Sequence, residues 1–168
     1  MGENSNSFHG EYSPQLDEKG RIKLPTRLLN TLLDNHGRKC RMMRMPEKCL
    51  ALYPHATWDS GWKEVLSGLG PLLPGSSDAR ALTRIAGTGL DVEVAAQGRL
   101  LLPESYRRHI EVSPGDIVSV IGAEDRIEIW KQENWERYFD EQMSRYEEIA
   151  ERTVSKINGD NRTSEEQR

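Results

Sequence analysis

One stretch of the chain alternates apolar and polar residues at the two-residue period of a half-buried strand, a second repeats its outline with more apolar residues, and each then switches to an apolar stripe at helical spacing. In the first, Ile22 and Leu24 face one way and Arg21 and Lys23 the other. Pro25 ends that run and suits the first turn of a helix, where its missing donor is no loss. Leu28, Leu29, Leu32 and Leu33 follow at i, i+1, i+4 and i+5, and Gly37 is the expected stop. In the second, Arg99 to Leu102 precedes Pro103 and a shorter helix over Glu104 to Ile110. A short strand is expected before each run (Phe8 to Tyr12; Leu90 to Val94), joined to it by a turn ending in Gly20 or Gly98. Two further strands close each unit: Arg38 to Met45 with Cys49 to Tyr53, and Ile117 to Ile121 with Arg126 to Trp130. The Ala123-Glu124-Asp125 turn makes the second of these hairpins the clearer.

The two stretches are copies of one unit. Gly20-Arg21-Ile22-Lys23-Leu24-Pro25 recurs as Gly98-Arg99-Leu100-Leu101-Leu102-Pro103, and Cys49-Leu50-Ala51-Leu52-Tyr53 is echoed by Arg126-Ile127-Glu128-Ile129-Trp130. Trp58 likewise matches Trp135. Two copies are too few for a solenoid and point to a pseudo-symmetric pair of half-domains. The expected organisation is a first repeat over 8–57, a helical connector over 58–86, a second repeat over 87–134, a helix over 135–157 and a disordered polar tail over 158–168. In the connector, Trp58, Trp62, Val65, Leu66 and Leu69 keep helical spacing. Ser67 to Ser77 reads as a loop, and Asp78 as the cap of a second helix. Trp135, Phe139, Gln142 or Met143, Tyr146, Ile149, Thr153 or Val154 and Ile157 run at heptad-like spacing along one long helix, packed either on its own body or on a neighbouring subunit.

Composition narrows the function classes. The chain has 168 residues and a formal net charge of -4, but the charge is unevenly spread. Residues 19–48 hold nine Lys or Arg and two acids; residues 124–168 hold eight basic and thirteen acidic residues. A basic block beside an acidic one fits a polyanion partner for the first, although such a block can also be a solvated face. No run reaches the ~18 apolar residues that a bilayer span needs, and no secretory leader is visible, so a cytosolic protein without a membrane is expected. Cys40 and Cys49 read as free buried thiols. The four histidines lack metal-ligand spacing, and neither a phosphate loop nor a nucleophile elbow is present. Catalysis, metal, cofactor and small-molecule substrate are therefore not expected.

At the duplicated Gly-Arg-Φ-x-Φ-Pro strand, each copy followed by a helix and a hairpin, the chain resembles the MraZ family of bacterial transcriptional regulators, built from two SpoVT-AbrB-type repeats. Phe8-His9-Gly10-Glu11-Tyr12, Leu50-Ala51-Leu52-Tyr53-Pro54 and Ile127-Glu128-Ile129-Trp130 add to the likeness, which covers roughly residues 7–150. The resemblance implies an α+β fold of two pseudo-symmetric AbrB-like swapped-hairpin β-barrel half-units with flanking α-helices. It further implies a ring-like homo-oligomer, associated with the nucleoid. That oligomer would bind double-stranded DNA at repeated sites upstream of its own cell-division and cell-wall gene cluster.

The family's DNA-contact element is an Asp-x-x-x-Arg motif in each repeat. The first repeat keeps it as Asp17 to Arg21. The second has Arg99 but Ala95 in place of the acid, with Gln97 matching Lys19 and Leu101 matching Lys23. Arg21 is the expected main contact, Arg99 the second, Lys19 and Lys23 phosphate contacts, and Asp17 the orienter of Arg21. Lys19 and Lys23 can also be plain exposed charges. Arg41 and Arg44, on another strand, are assigned to pairing between repeats or to solvent, with DNA contact as the lesser reading. An arginine fork matches the two acceptors on the major-groove edge of guanine, and a two-stranded ribbon fits that groove. The competing reading is an antitoxin-like or scaffold protein of the same type, acting through protein partners by its terminal helix and acidic tail.

Overall fold

A computed structural model describes residues 5–69 and 76–165 and shows an α+β chain whose strands all pair antiparallel. The chain divides into two units, residues 1–132 and 133–168. The first contains both repeats. Its strands are β1 (Glu11–Tyr12), β2 (Arg21–Lys23), β3 (Lys39–Arg44), β4 (Leu50–Pro54), β5 (Leu90–Glu93), β6 (Arg99–Leu101), β7 (Val118–Gly122) and β8 (Ile127–Lys131). Helix α1 (Thr26–Asn35) follows β2, and α4 (Glu104–His109) follows β6; α2 (His55–Leu69) and α3 (Ser77–Gly87) connect the repeats.

The strands form a six-stranded sheet in the order β1-β7-β8-β4-β3-β5 and a two-stranded ribbon, β2-β6. Four of the six strand pairings cross between repeats. β1 of the first repeat lies on β7 of the second, with Tyr12 opposite Val120. β5 of the second lies on β3 of the first, with Cys40 opposite Val92. The central join pairs β4 with β8, and the ribbon pairs β2 with β6. Exchanging the labels of the two repeats leaves this pattern unchanged, so the duplicated sequence has folded into a pseudo-two-fold structure. Only the β3-β4 and β7-β8 hairpins are formed within a repeat. The segment before Glu11 contributes a single bridge, Phe8 to Glu124, so the first strand is shorter than its sequence pattern predicts.

One apolar core serves both repeats. Ile22 and Leu24 meet Leu100 and Leu102, with Leu28, Leu32, Leu50, Leu52, Val120 and Ile129 completing the interior. Each of these positions is an inward point of the two- or four-residue alternation in the sequence, and burying a leucine of this kind is worth about 1.5–3 kcal/mol. Cys40 and Cys49 are free and buried.

Four local expectations are corrected. Helix α3 is capped by Ser76, whose hydroxyl accepts from Ala79 N–H, and Asp78 sits in the first turn, where its charge favours the helix dipole. The expected loop over 67–77 is shorter, because α2 runs to Leu69; residues 70–75 lie outside the described residues. In the second unit the single terminal helix is two, α5 (Gln132–Met143) and α6 (Tyr146–Glu165). At the break Ser144 Oγ donates to the Glu141 carbonyl at 2.7 Å and Arg145 N–H turns to Gln142, so side chain and a tighter bond replace the regular ladder. The backbone of 158–165 continues α6 where a disordered tail is expected: one glycine among polar helix-compatible residues is too weak a breaker to stop it. Residues 166–168 lie outside the described residues. No residue of α5 is buried, and Phe139, Met143, Tyr146, Val154 and Ile157 are exposed.

Candidate nucleic-acid interface

The β2-β6 ribbon brings together residues that stand 78 positions apart. Arg21 is opposite Leu101, Ile22 opposite Leu100, and Lys23 opposite Arg99. Directly paired residues of antiparallel strands share a face. Ile22 and Leu100 are buried beneath, so Arg21, Lys23, Arg99 and Leu101 form the outer face. Lys19 is exposed at the turn leading into β2. Lys19, Lys23 and Arg99 form no ion pair with any described residue. Leu101, 54% exposed, makes part of this face apolar and was legible as the mismatch to Lys23.

The two turns share a backbone and differ in a side chain. In the first, Asp17 N–H donates to the Arg21 carbonyl at 2.8 Å and Gly20 N–H to the Asp17 carbonyl at 3.1 Å. In the second, Ala95 N–H donates to the Arg99 carbonyl at 3.0 Å and Gly98 N–H to the Ala95 carbonyl at 2.8 Å. Gly20 and Gly98 take φ of +78° and +91°, which favours glycine at both turn ends. The Gly20 and Gly98 carbonyls accept from Leu102 and Leu24 across the pseudo-two-fold, which ties each turn to the other repeat's strand.

Asp17 converts the first turn into a clamp. Its Oδ1 accepts from the N–H groups of Lys19 and Arg21 at 2.8 and 2.9 Å, and its Oδ2 from Arg21 Nε at 3.0 Å. The Arg21 N–H bond is the main cause holding this carboxyl below its ordinary range; the guanidinium and the Lys19 N–H add to it, against a smaller opposing effect of desolvation. With Nε held, Arg21 presents its two terminal nitrogens outward on a fixed stem. Ala95 offers no such acceptor, and Arg99 is more exposed than Arg21.

Arg41 and Arg44 are placed elsewhere. Arg41 Nε donates to Asp91 Oδ1 at 2.8 Å and its guanidinium lies over Trp58; Arg44 lies over the ring of Tyr106. Asp91 and Tyr106 belong to the second repeat, so both arginines pack across the join between repeats. Among the described residues no group of three or more His, Cys, Asp or Glu is arranged to hold a metal ion, and no helix is long and apolar enough to cross a membrane.

Fold and site together define a class: a two-repeat antiparallel α+β protein whose repeats jointly build one cationic ribbon. Comparison with known proteins narrows this. Residues 7–67 and 87–157 match the family described as "MraZ protein, putative antitoxin-like", one match for each repeat with its following helix. The chain belongs to the MraZ family. It is 36% identical over 148 residues to the transcriptional regulator MraZ of Heliobacterium modesticaldum, covering 88% of this chain and 96% of that protein. It is 35% identical to that of Moorella thermoacetica with the same coverage, and 36% identical to that of Leuconostoc mesenteroides, again over 88% and 96%.

Proposed function

We infer that this MraZ-family protein is a DNA-binding transcriptional regulator, and that the β2-β6 ribbon is the surface that grips the duplex. One observation carries the assignment: Arg21, Lys23 and Arg99 stand on one outward face, and the only described carboxylate engaged with them, Asp17, orients Arg21 rather than burying it. The regulatory role follows from the family and from relatives named as transcriptional regulators.

The chemistry is that of a cationic ribbon on a polyanion. Duplex DNA carries one negative charge per about 1.7 Å of axis, and each phosphate neutralised by Lys or Arg releases counterions. Lys19 and Lys23 supply this sequence-independent attraction. The major groove admits a two-stranded ribbon, and the terminal nitrogens of Arg21 match the paired acceptors of guanine. Arg99 is the weaker second contact because no described residue fixes its stem. The exposed Leu101 suits a thymine methyl.

In this reading the ribbon and the six-stranded sheet are the two faces of swapped-hairpin half-units of AbrB type, consistent with strand pairings that cross between repeats. One ribbon makes few contacts, so useful affinity needs several protomers on spaced sites. A closed homo-oligomeric ring acting on repeats upstream of its own cell-division and cell-wall genes, in the cytoplasm at the nucleoid, provides that gain through effective concentration.

The test is a mobility-shift titration of the full chain on the duplex upstream of its own gene, at about 50 and 200 mM salt. Binding at low salt that weakens as salt rises is expected. Failure to bind this duplex at low salt overturns the assignment and returns the protein to a role through protein partners.

A further inference from the structure

The turn that carries Asp17 and Arg21 rests on a cation from the other repeat. A Cβ built on Gly20 would stand 2.8 Å from Arg107 Nη1 and 2.9 Å from Arg107 Cζ, so the guanidinium of α4 lies directly against the glycine. The pseudo-equivalent contact is different in kind. A Cβ on Gly98 would stand 2.9 Å from Leu29 Cδ2 of α1. Leu29 and Arg107 are separated by 78 positions, as are Gly20 and Gly98. The same place in the repeat therefore holds an aliphatic side chain under the second turn and a charged one under the first.

The charge of Arg107 is uncompensated. Its Nε is buried without a hydrogen-bond partner, and no described carboxylate pairs with it. The acids nearest in sequence are engaged elsewhere: Glu104 with Arg108 at 3.0 Å, and Glu111 with Lys48 at 3.7 Å. A purely structural arginine at this depth would be expected to have a carboxylate or carbonyl partner, because an unpaired buried donor is costly. Yet Arg107 is only half-buried and borders a surface groove with Arg108, Val112, Ser113 and the two paired carboxylates Glu104 and Glu111. A phosphate oxygen in that groove would meet the terminal nitrogens, which unlike Nε are not fully buried and which have no partner among the described residues, and arginine's planar fork suits it.

We propose that Arg107 is a DNA-phosphate ligand supplied by the second repeat to the first repeat's turn. The proposal rests on the ribbon being the DNA interface. Its consequence is that two of the departures from two-fold symmetry, Asp17 against Ala95 and Arg107 against Leu29, strengthen the same turn. Each protomer then carries one strong grip and one weak one.

Binding of a fluorescently labelled upstream duplex by the full chain tests this, with affinities measured across about 50–200 mM salt. Arg107→Leu, which copies Leu29, should weaken binding several-fold at low salt and reduce the salt slope by about 0.9, the value of one lost phosphate contact. Arg107→Gln should do the same, and serves should the leucine variant fail to fold. Arg107 variants that bind as the parent does, or that lose affinity with the slope intact, overturn the proposal. Arg21→Ala measured alongside separates the two levels. If it weakens binding while the Arg107 variants do not, only the Arg107 assignment falls; if it too has no effect, the ribbon itself is not the interface.

Discussion

Replacing Arg21 and Arg99 by alanine, one at a time, probes the asymmetry built into the ribbon. Arg21 has its Nε bonded to Asp17 Oδ2 at 3.0 Å, and Asp17 is itself fixed by two backbone N–H groups. The stem of Arg21 is thus ordered before DNA arrives. Ordering a rotamer-rich side chain on binding costs about 0.5–1.5 kcal/mol, which is roughly 2- to 12-fold in affinity. Arg99 must meet that cost in the complex. A well-placed fork on a base edge is worth about 1–3 kcal/mol. Arg21→Ala should therefore weaken binding roughly 5- to 150-fold, and Arg99→Ala less by the roughly 2- to 12-fold that ordering is worth. Lys23, opposite Arg99, further softens the second loss by keeping a cation at that end of the ribbon. Anisotropy titrations of the full chain on its upstream duplex at one fixed salt measure both. A loss from Arg99→Ala equal to or larger than that from Arg21→Ala refutes the reasoning.

The Asp17 carboxyl, held below its ordinary value of 3.8, contributes stability above that value and loses it as pH falls through its folded pKa, so the difference in urea midpoint between the parent and Asp17→Asn should be present at neutral pH and fade in acid. An NMR titration placing the Asp17 midpoint at or above 3.8 would contradict this. Burial pushes the Cys40 thiol up to about 12 and raises that of Cys49 as well, with Glu128 and Glu47 adding to the latter, so neither should react with a thiol reagent in the folded protein at neutral pH and both should react in urea. Rapid native labelling of either would show that its burial is not maintained in solution. Arg126→Ala should destabilise the fold by about 3 kcal/mol, the low end for breaking a buried pair, because the buried Glu128 loses the Arg126 Nε bond at 2.9 Å and keeps only the Trp130 indole at 3.0 Å. A loss under about 1 kcal/mol in urea unfolding would place this pair among exposed ones.

Local elements were largely legible because their causes are local. Ile22 and Leu24 against Arg21 and Lys23 define the strand and its two faces. Pro25 and the leucine stripe define α1, and the recurrence of this pattern at 98–103 reveals the duplication. The turn glycines were readable for the same reason, since a sharp reversal needs positive φ there. The break at Ser144 was less so: a serine hydroxyl bonding the preceding turn is compatible with a continuous helix, and apolar spacing runs unbroken across it. Ser76 and Asp78 are both residue types that cap helices, and only the chain's path decides which one precedes the first turn.

The amino-acid order alone therefore determined the repeated unit, its inward and outward residues, the family, and the missing acid at Ala95. Tertiary structure decided which strand pairs with which. β1 and β5 each cross to the other repeat, and β2 finds β6, because an antiparallel edge accepts any strand of matching alternation and only the shared core selects among them. That selection sets Arg21, Lys23 and Arg99 on one face and brings Arg107 beneath Gly20, juxtapositions across about half the chain that no local pattern encodes.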